Sequence, residues 1–215
     1  MKCTEKELLL GLDLTCSDKK PTAYALLDGD LRITGWGSAV SDADILRLIE
    51  KERPRVVAID APLTLPLGWH CLGPGCDCNR DTTSKGRACE RELSRQGIPS
   101  YYTGTKCFIK PMIYRAIDLK REIKSRGLNV IEVYPYASKV RLWGRPIPKK
   151  ARPQGIAFLR SKLSELIPDP NITETKRSHD LYDAPIAAYT VYLHNLKRTE
   201  PIGEKDEGLI WLPRF

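Results

Sequence analysis

The sequence predicts an α/β or α+β fold built on a mixed sheet. Three observations point there: short apolar runs that end in acids, an Asp-Gly turn between two strand-like runs, and apolar residues recurring at helical spacing. Leu8–Asp13 is the first such run, and Thr22–Leu27 and Leu31–Trp36 flank the turn Asp28-Gly29-Asp30. The opening therefore predicts three antiparallel strands. Ser41–Glu52 predicts a helix: Ser41 or Asp42 caps it, Ile45, Leu48 and Ile49 form its apolar stripe, and Pro54 ends it. Arg55–Asp60 is β-branched and apolar without alternation, as in a strand buried on both faces. Residues 61–110 are rich in Gly, Pro, Cys and polar groups and predict an excursion from the core, with one helix near Arg87–Gln96. Met112–Arg126 predicts a helix that Pro111 starts and Gly127 stops, and Asn129–Val133 a further buried strand carrying Glu132. Pro135–Arg152 reads as a basic linker, Gln154–Ile167 and His179–Leu196 as helices, and Gly208–Pro213 as a terminal strand.

The length of 215 residues predicts one domain, with residues 61–110 as an insertion within it. Hydrophobic residues make up 41% and charged residues 29%, which excludes a disordered chain. No apolar run approaches the ~18 residues of a membrane span. The first residues contain neither an apolar h-region nor a cleavage site, so a cytoplasmic protein is expected. Lys and Arg number 35 against 27 Asp and Glu, a net charge of +8. That balance favours acidic partners, nucleic acid being the commonest, or marks a soluble chain that is simply rich in Lys and Arg. An odd count of 7 cysteines without an export signal argues against a disulfide framework. No P-loop, dinucleotide fingerprint or Gly-x-Ser-x-Gly elbow is present.

Four acids fall where chemistry is built. Asp13 and Asp60 end two strand-like runs, and sites in α/β sheets lie outside the carboxyl ends of strands. Asp180 and Asp183 are three apart, so on a helix they face the same way. Converging carboxylates repel, and a divalent cation resolves the repulsion. Oxygen ligands suit Mg²⁺ or Mn²⁺, and two such ions about 4 Å apart would serve in-line phosphoryl transfer. Singly, each acid is as readily a turn former or a cap.

Five motifs in order, Gly11-Leu-Asp-Leu-Thr15, Ala58-Ile-Asp-Ala-Pro-Leu63, Glu132-Val-Tyr-Pro135, His179-Asp-Leu-Tyr-Asp-Ala-Pro-Ile-Ala-Ala188 and Gly203-Glu-Lys-Asp-Glu-Gly-Leu-Ile210, resemble the DUF429 family, predicted nucleases with a ribonuclease H-like fold. The helix motif at 179–184 is also similar to that of RuvC-type Holliday-junction resolvases. The resemblance implies an α/β fold with a ribonuclease H-like mixed five-stranded sheet flanked by helices, here with a Cys-containing insertion. It implies a metal-dependent nuclease in which Asp13, Asp60, Asp180, Asp183 and Glu132 are catalytic and Asp13, Asp60 and Asp183 hold the ions. A non-catalytic nucleotide- or nucleic-acid-binding domain of the same fold is the alternative. Pro185 sits two residues after Asp183, so the last helix starts near Asp183 or kinks there.

In the insertion, His70-Cys71, Cys76, Cys78 and Cys89 offer thiolates and an imidazole for zinc, with a Gly-Pro-Gly turn after Cys71 that would let the loop wrap an ion. The other readings are reduced thiols, with Cys89 packed on a helix, or disulfides. Tyr101 and Tyr102 stand among cations, as base-stacking residues or as loop anchors. His179 is a base, a ligand or a helix cap. Lys139, Arg141, Arg145, Lys149, Lys150 and Arg152 form the candidate phosphate-contacting stretch.

Overall fold

Residues 7–17, 20–79, 85–174 and 181–214 are described by a computed structural model. The strands are β1 Leu9–Asp13, β2 Thr22–Leu27, β3 Ile33–Ala39, β4 Val56–Ile59, β5 Asn129–Val133, β6 Thr199–Glu204 and β7 Gly208–Pro213. The helices are α1 Asp42–Glu52, α2 Ala88–Arg95, α3 Lys110–Ser125, α4 Pro135–Trp143, α5 Pro153–Leu166, α6 Pro170–Glu174 and α7 Asp183–Asn195. One seven-stranded mixed sheet runs in the order β3-β2-β1-β4-β5-β7-β6. β1, β4, β5 and β7 are parallel neighbours, while β2, β3 and β6 are antiparallel to theirs.

Strand alternation divides the core in two. Leu10, Leu12, Val57 and Ile59 point to the face covered by α1 and α3, where they meet Ile45, Ile49, Ala116 and Ile123. Leu9, Val56 and Ala58 point to the opposite face, against α7 and α5. α1 is held by a full capping box, in which Ser41 and Asp44 satisfy each other's backbone amides. α7 is buried nearly all round, which explains its Ala-rich sequence. It lies directly on β1 because Gly11 has no side chain: a Cβ there would stand 2.3 Å from the backbone oxygen of Ala184 and 2.3 Å from the nitrogen of Ala188.

Most expected elements form, with three differences. The sheet has seven strands, not five, because β6 joins β7 in a hairpin beside β5. Pro201 hid β6 from the sequence reading, but an edge strand tolerates a residue without an N–H. The basic linker is in part the helix α4, with Pro135 in its first turn and Gly144 just past its end, the arrangement that starts and stops helices. α7 begins at Asp183, so Pro185 falls in the first turn, where its missing N–H costs nothing. No helix among the described residues is long and apolar enough to cross a membrane.

Gly11→Ala is expected to cost at least about 1–3 kcal/mol in urea unfolding, the scale of forced overpacking. Gly29→Ala, which meets nothing within 4 Å, is the control and should leave the midpoint nearly unchanged.

Candidate active site

Asp13 and Asp60 meet at one edge of the sheet. β1 and β4 pair in parallel with Leu12 opposite Ile59, and the Asp60 amide donates to the Leu12 carbonyl at 2.9 Å. Alternation turns both acids to the α7 face, the side of Gly11 and Ala58. α7 then brings in Asp183, its first residue. Asp180 and His179 lie outside the described residues.

The three acids are in different electrostatic states. Asp183 is 6% exposed and bound by two ammonium groups: Lys139 Nζ donates to its Oδ1 at 2.8 Å and Lys150 Nζ to its Oδ2. Burial raises the proton affinity of this carboxyl, but Lys139 and Lys150 outweigh it and hold the group below the usual carboxylate range. Lys150 also lies 3.8 Å from Asp13 Oδ2. Burial would lower the Lys150 pKa, yet Asp183 and Asp13 push it up. Asp60 accepts no side-chain hydrogen bond among the described residues. Burial, then Asp13, then Asp183 push its carboxyl well above the ordinary range, against the smaller pull of the two lysines.

Glu132 lines the same cavity as Asp13 and Asp60 but, among the described residues, makes no hydrogen bond or ion pair with the acids and lysines of this cluster. It pairs in register with Ile59, so alternation turns it to the opposite face from Asp13 and Asp60. There it is 5% exposed and fully engaged. Arg87 holds it bidentately, at 2.6 Å to Oε1 and 2.8 Å to Oε2, and the Leu63 amide donates to Oε2 at 2.8 Å. Arg87, 1% exposed, also donates through Nε to Glu90 Oε1 at 2.9 Å and through Nη1 to Thr64 at 3.0 Å. Burial would lower the Arg87 pKa, but Glu132 and Glu90 raise it well above the usual value. Glu132 thus ties the insertion to β5. Sequence reasoning missed Arg87, which carries no local sign that a cation will be buried there.

Residues of the insertion form one wall of a largely apolar cavity of about 340 Å³ whose floor includes Asp13 and Asp60. Tyr101 and Phe108 line it as an edge-to-face pair, ring centroids 4.8 Å apart, and are 61% and 70% exposed. Tyr102 instead hydrogen-bonds Ser94 at 2.8 Å, as a loop anchor does. Glu207, at the β6–β7 turn, accepts from the amides of Leu67 and Ala88, the second at the start of α2, where a carboxylate is favoured.

The cysteines separate. His70, Cys71, Cys76 and Cys78 bring one ligand atom each to within 4.8 Å of one another, a group that could hold a metal ion. Cys89 is not among them. It lies on α2, fully buried with Leu93 and Ile202, where burial pushes its thiol up to about 12. A helix that packs on the sheet carries Cys89 away from the loop.

The basic stretch also divides. Lys139 is 4% exposed on α4 and belongs to the acid cluster, as does Lys150. Arg141 pairs with Glu200 at 2.8 Å and with Gln96, and Arg145 donates to the Gly97 carbonyl. Lys149 and Arg152 are exposed and, among the described residues, make no ion pair. The stretch is therefore not one continuous exposed strip: α4 turns Lys139 inward, while Arg141, Arg145, Lys149 and Arg152 stay exposed.

A model of the family described as "Protein of unknown function (DUF429)" matches residues 11–207. Among solved structures, the chain is similar to a Thermus thermophilus RuvC structure at 11% identity and a TM-score of 0.48, over 88% of this chain and 96% of that one. No curated protein matches the sequence.

Two outcomes follow from the charges. Arg87→Met leaves Glu132 and Glu90 buried without their cation and should cost about 3–5 kcal/mol, read from a denaturant midpoint. For Asp60, the folded pKa lies above an unfolded value of about 4. Its contribution to stability is thus complete below that pH and is lost as pH rises through the folded value. In chelator, the melting temperature of the native protein should fall relative to that of Asp60→Asn as pH rises from 4 to 8. Added Mn²⁺ should narrow the gap.

Proposed function

The chain belongs to the DUF429 family, and we propose that it is a nuclease of ribonuclease H-like fold that uses one divalent cation to hydrolyse phosphodiester bonds in nucleic acid. The observation that carries this reading is the pair Asp13 and Asp60 at the carboxyl ends of adjacent parallel strands, with Asp60 half-buried beside like charge. The order β3-β2-β1-β4-β5, with only β2 reversed among these five strands, supports the ribonuclease H-like assignment.

The donor set fits one Mg²⁺ or Mn²⁺ ion. Asp13 and Asp60 supply oxygen, which these cations prefer, and a cation removes the repulsion between them. Asp183 is occupied at both oxygens by ammonium groups. With Asp13, Asp60 and Asp183 ionised against Lys139 and Lys150, one negative charge is left over, which favours one dication over two. When bound, the ion polarises the phosphodiester and stabilises the charge that develops on it. Lys150, held between Asp183 and Asp13, supplies the further positive charge that a second ion would bring. Lys139 keeps Asp183 ionised, and Asp183 keeps Lys150 aimed. The cavity beside Asp60 takes an unpaired base, stacked on Phe108 and Tyr101. Its volume is within the range of small-ligand sites.

The rival reading, a nucleic-acid-binding domain without turnover, draws on the same lysine lock on Asp183. A panel of labelled single-stranded, duplex and junction substrates with Mn²⁺ separates the two. Asp13→Asn and Asp60→Asn should each lower cleavage at least about 100-fold, the scale of removing one charge-stabilising group. Equal behaviour of native and variant proteins would favour binding alone. Phe108→Ala should weaken single-strand binding by about 1–3 kcal/mol and leave duplex binding unchanged.

A further inference from the structure

We propose that His70, Cys71, Cys76 and Cys78 form a structural zinc site that holds the loop of residues 69–79 in place as a wall of the insertion. Four facts carry this. First, the ligand atoms already converge: Cys76 Sγ is 3.2 Å from His70 Nε2 and 3.3 Å from Cys78 Sγ, and all four atoms lie within 4.8 Å of one another. Adjacent donors around a tetrahedral ion, with bonds of about 2.0–2.3 Å, are separated by comparable distances. The sulfurs are not bonded to each other, and the cysteines are free thiols.

Second, the backbone is folded to present these atoms. The Cys76 amide donates to the Gly73 carbonyl at 3.5 Å, and Gly75 takes the left-handed conformation, φ +79°, that this turn requires. A short 3₁₀ turn, Asp77–Asn79, then brings Cys78 back beside Cys76, so that two cysteines one residue apart can face the same point. The Gly73 amide donates to Cys71 Sγ at 3.4 Å, a bond that suits a thiolate.

Third, the loop has almost no core of its own. Between Leu67 and Asn79 only Leu72 is buried, packed on Ile109 and Ile113, with its amide donating to the Tyr114 hydroxyl at 2.6 Å. Segments that cannot bury enough apolar surface are commonly held by metals. Fourth, the loop has something to hold open. Trp69, Gly75 and Asn79 face Tyr101, Tyr102 and Phe108 across a cavity of about 570 Å³.

Three thiolates and one imidazole complete four-coordination, so the site is closed and leaves no position for substrate. Binding forms three Zn–S bonds and one Zn–N bond, and the three thiol protons pass to solvent. The site is independent of Asp13 and Asp60, and its test does not read hydrolysis.

Full-length protein purified without chelator should contain about one zinc per chain. Replacement by Co²⁺ should give the near-ultraviolet absorption of sulfur-to-cobalt charge transfer. Cys76→Ser should lose at least nine-tenths of that intensity. His70→Cys, which preserves four ligands, should keep the metal and shift the spectrum, and far-ultraviolet circular dichroism checks that both variants fold. Zinc retained at full stoichiometry in a His70→Ala, Cys76→Ser double variant would overturn the assignment. So would native protein that holds no metal, takes up no Co²⁺ and melts at the same temperature with and without zinc. Fewer than seven titratable thiols in the denatured metal-free protein would also overturn it, in favour of disulfides.

Discussion

Arg87 is the joint on which the insertion hangs. Its guanidinium has five donors in a rigid fork, and the fork is shared among Glu132 on β5, Glu90 one helical turn onward and Thr64. Glu90 in turn accepts from the Thr103 amide at 2.7 Å and hydroxyl at 2.6 Å, so the network reaches the far side of the insertion. Desolvating three charges is costly, and four hydrogen bonds from the guanidinium to Glu132, Glu90 and Thr64 offset it. What it secures is position: Thr64, Thr103 and the start of α2 are tied to β5 of the sheet. The aromatic wall at Tyr101 and Phe108 follows from that placement.

The acid cluster works by a different balance. The cation sites of many carboxylate clusters are filled by ions alone, but here two are filled by side chains. Lys139 is almost fully enclosed, and a buried ammonium persists only beside a carboxylate. Asp183 meets that need and is itself kept ionised by it. Among the described residues, Asp60 is the carboxylate of the three with no cation in contact, and is therefore the most responsive to a metal or to pH.

Much of the scaffold was legible from short-range patterns. Leu9–Asp13, Val56–Ile59 and the Asp-Gly hairpin stand where apolar runs and turn chemistry place them, and the meeting of Asp13 with Asp60 follows from two acids at strand ends. What was hidden depends on register and on burial. Glu132 lies one residue before the end of β5 and Asp60 directly after β4, and only the pairing of β4 with β5 shows that they turn to opposite faces. Lys139 and Lys150 read as part of a solvated basic run because a lysine's burial depends on a partner 44 or 33 residues away. The helix α4 was legible in principle, from Pro135 and Gly144, but its charge pattern suggested a linker. Cys89 sits within the cysteine-rich segment in sequence and outside it in space, since α2 turns it toward Ile202.

The contacts of Glu207 have a consequence for the order in which the molecule is completed. Its carboxylate joins amides that precede it by 140 and 119 residues, those of Leu67 and Ala88. A ribosome releases the insertion and the acids of β1 and β4 long before it releases the β6–β7 turn. Until then the first amide of α2 has no carboxylate to accept it, and the insertion is fastened by Arg87 and by the bonds of its loops to β5, α3 and α4. Until the β6–β7 turn is made, the wall beside Asp13 and Asp60 lacks the two bonds that Glu207 supplies. The last hairpin to be made closes it.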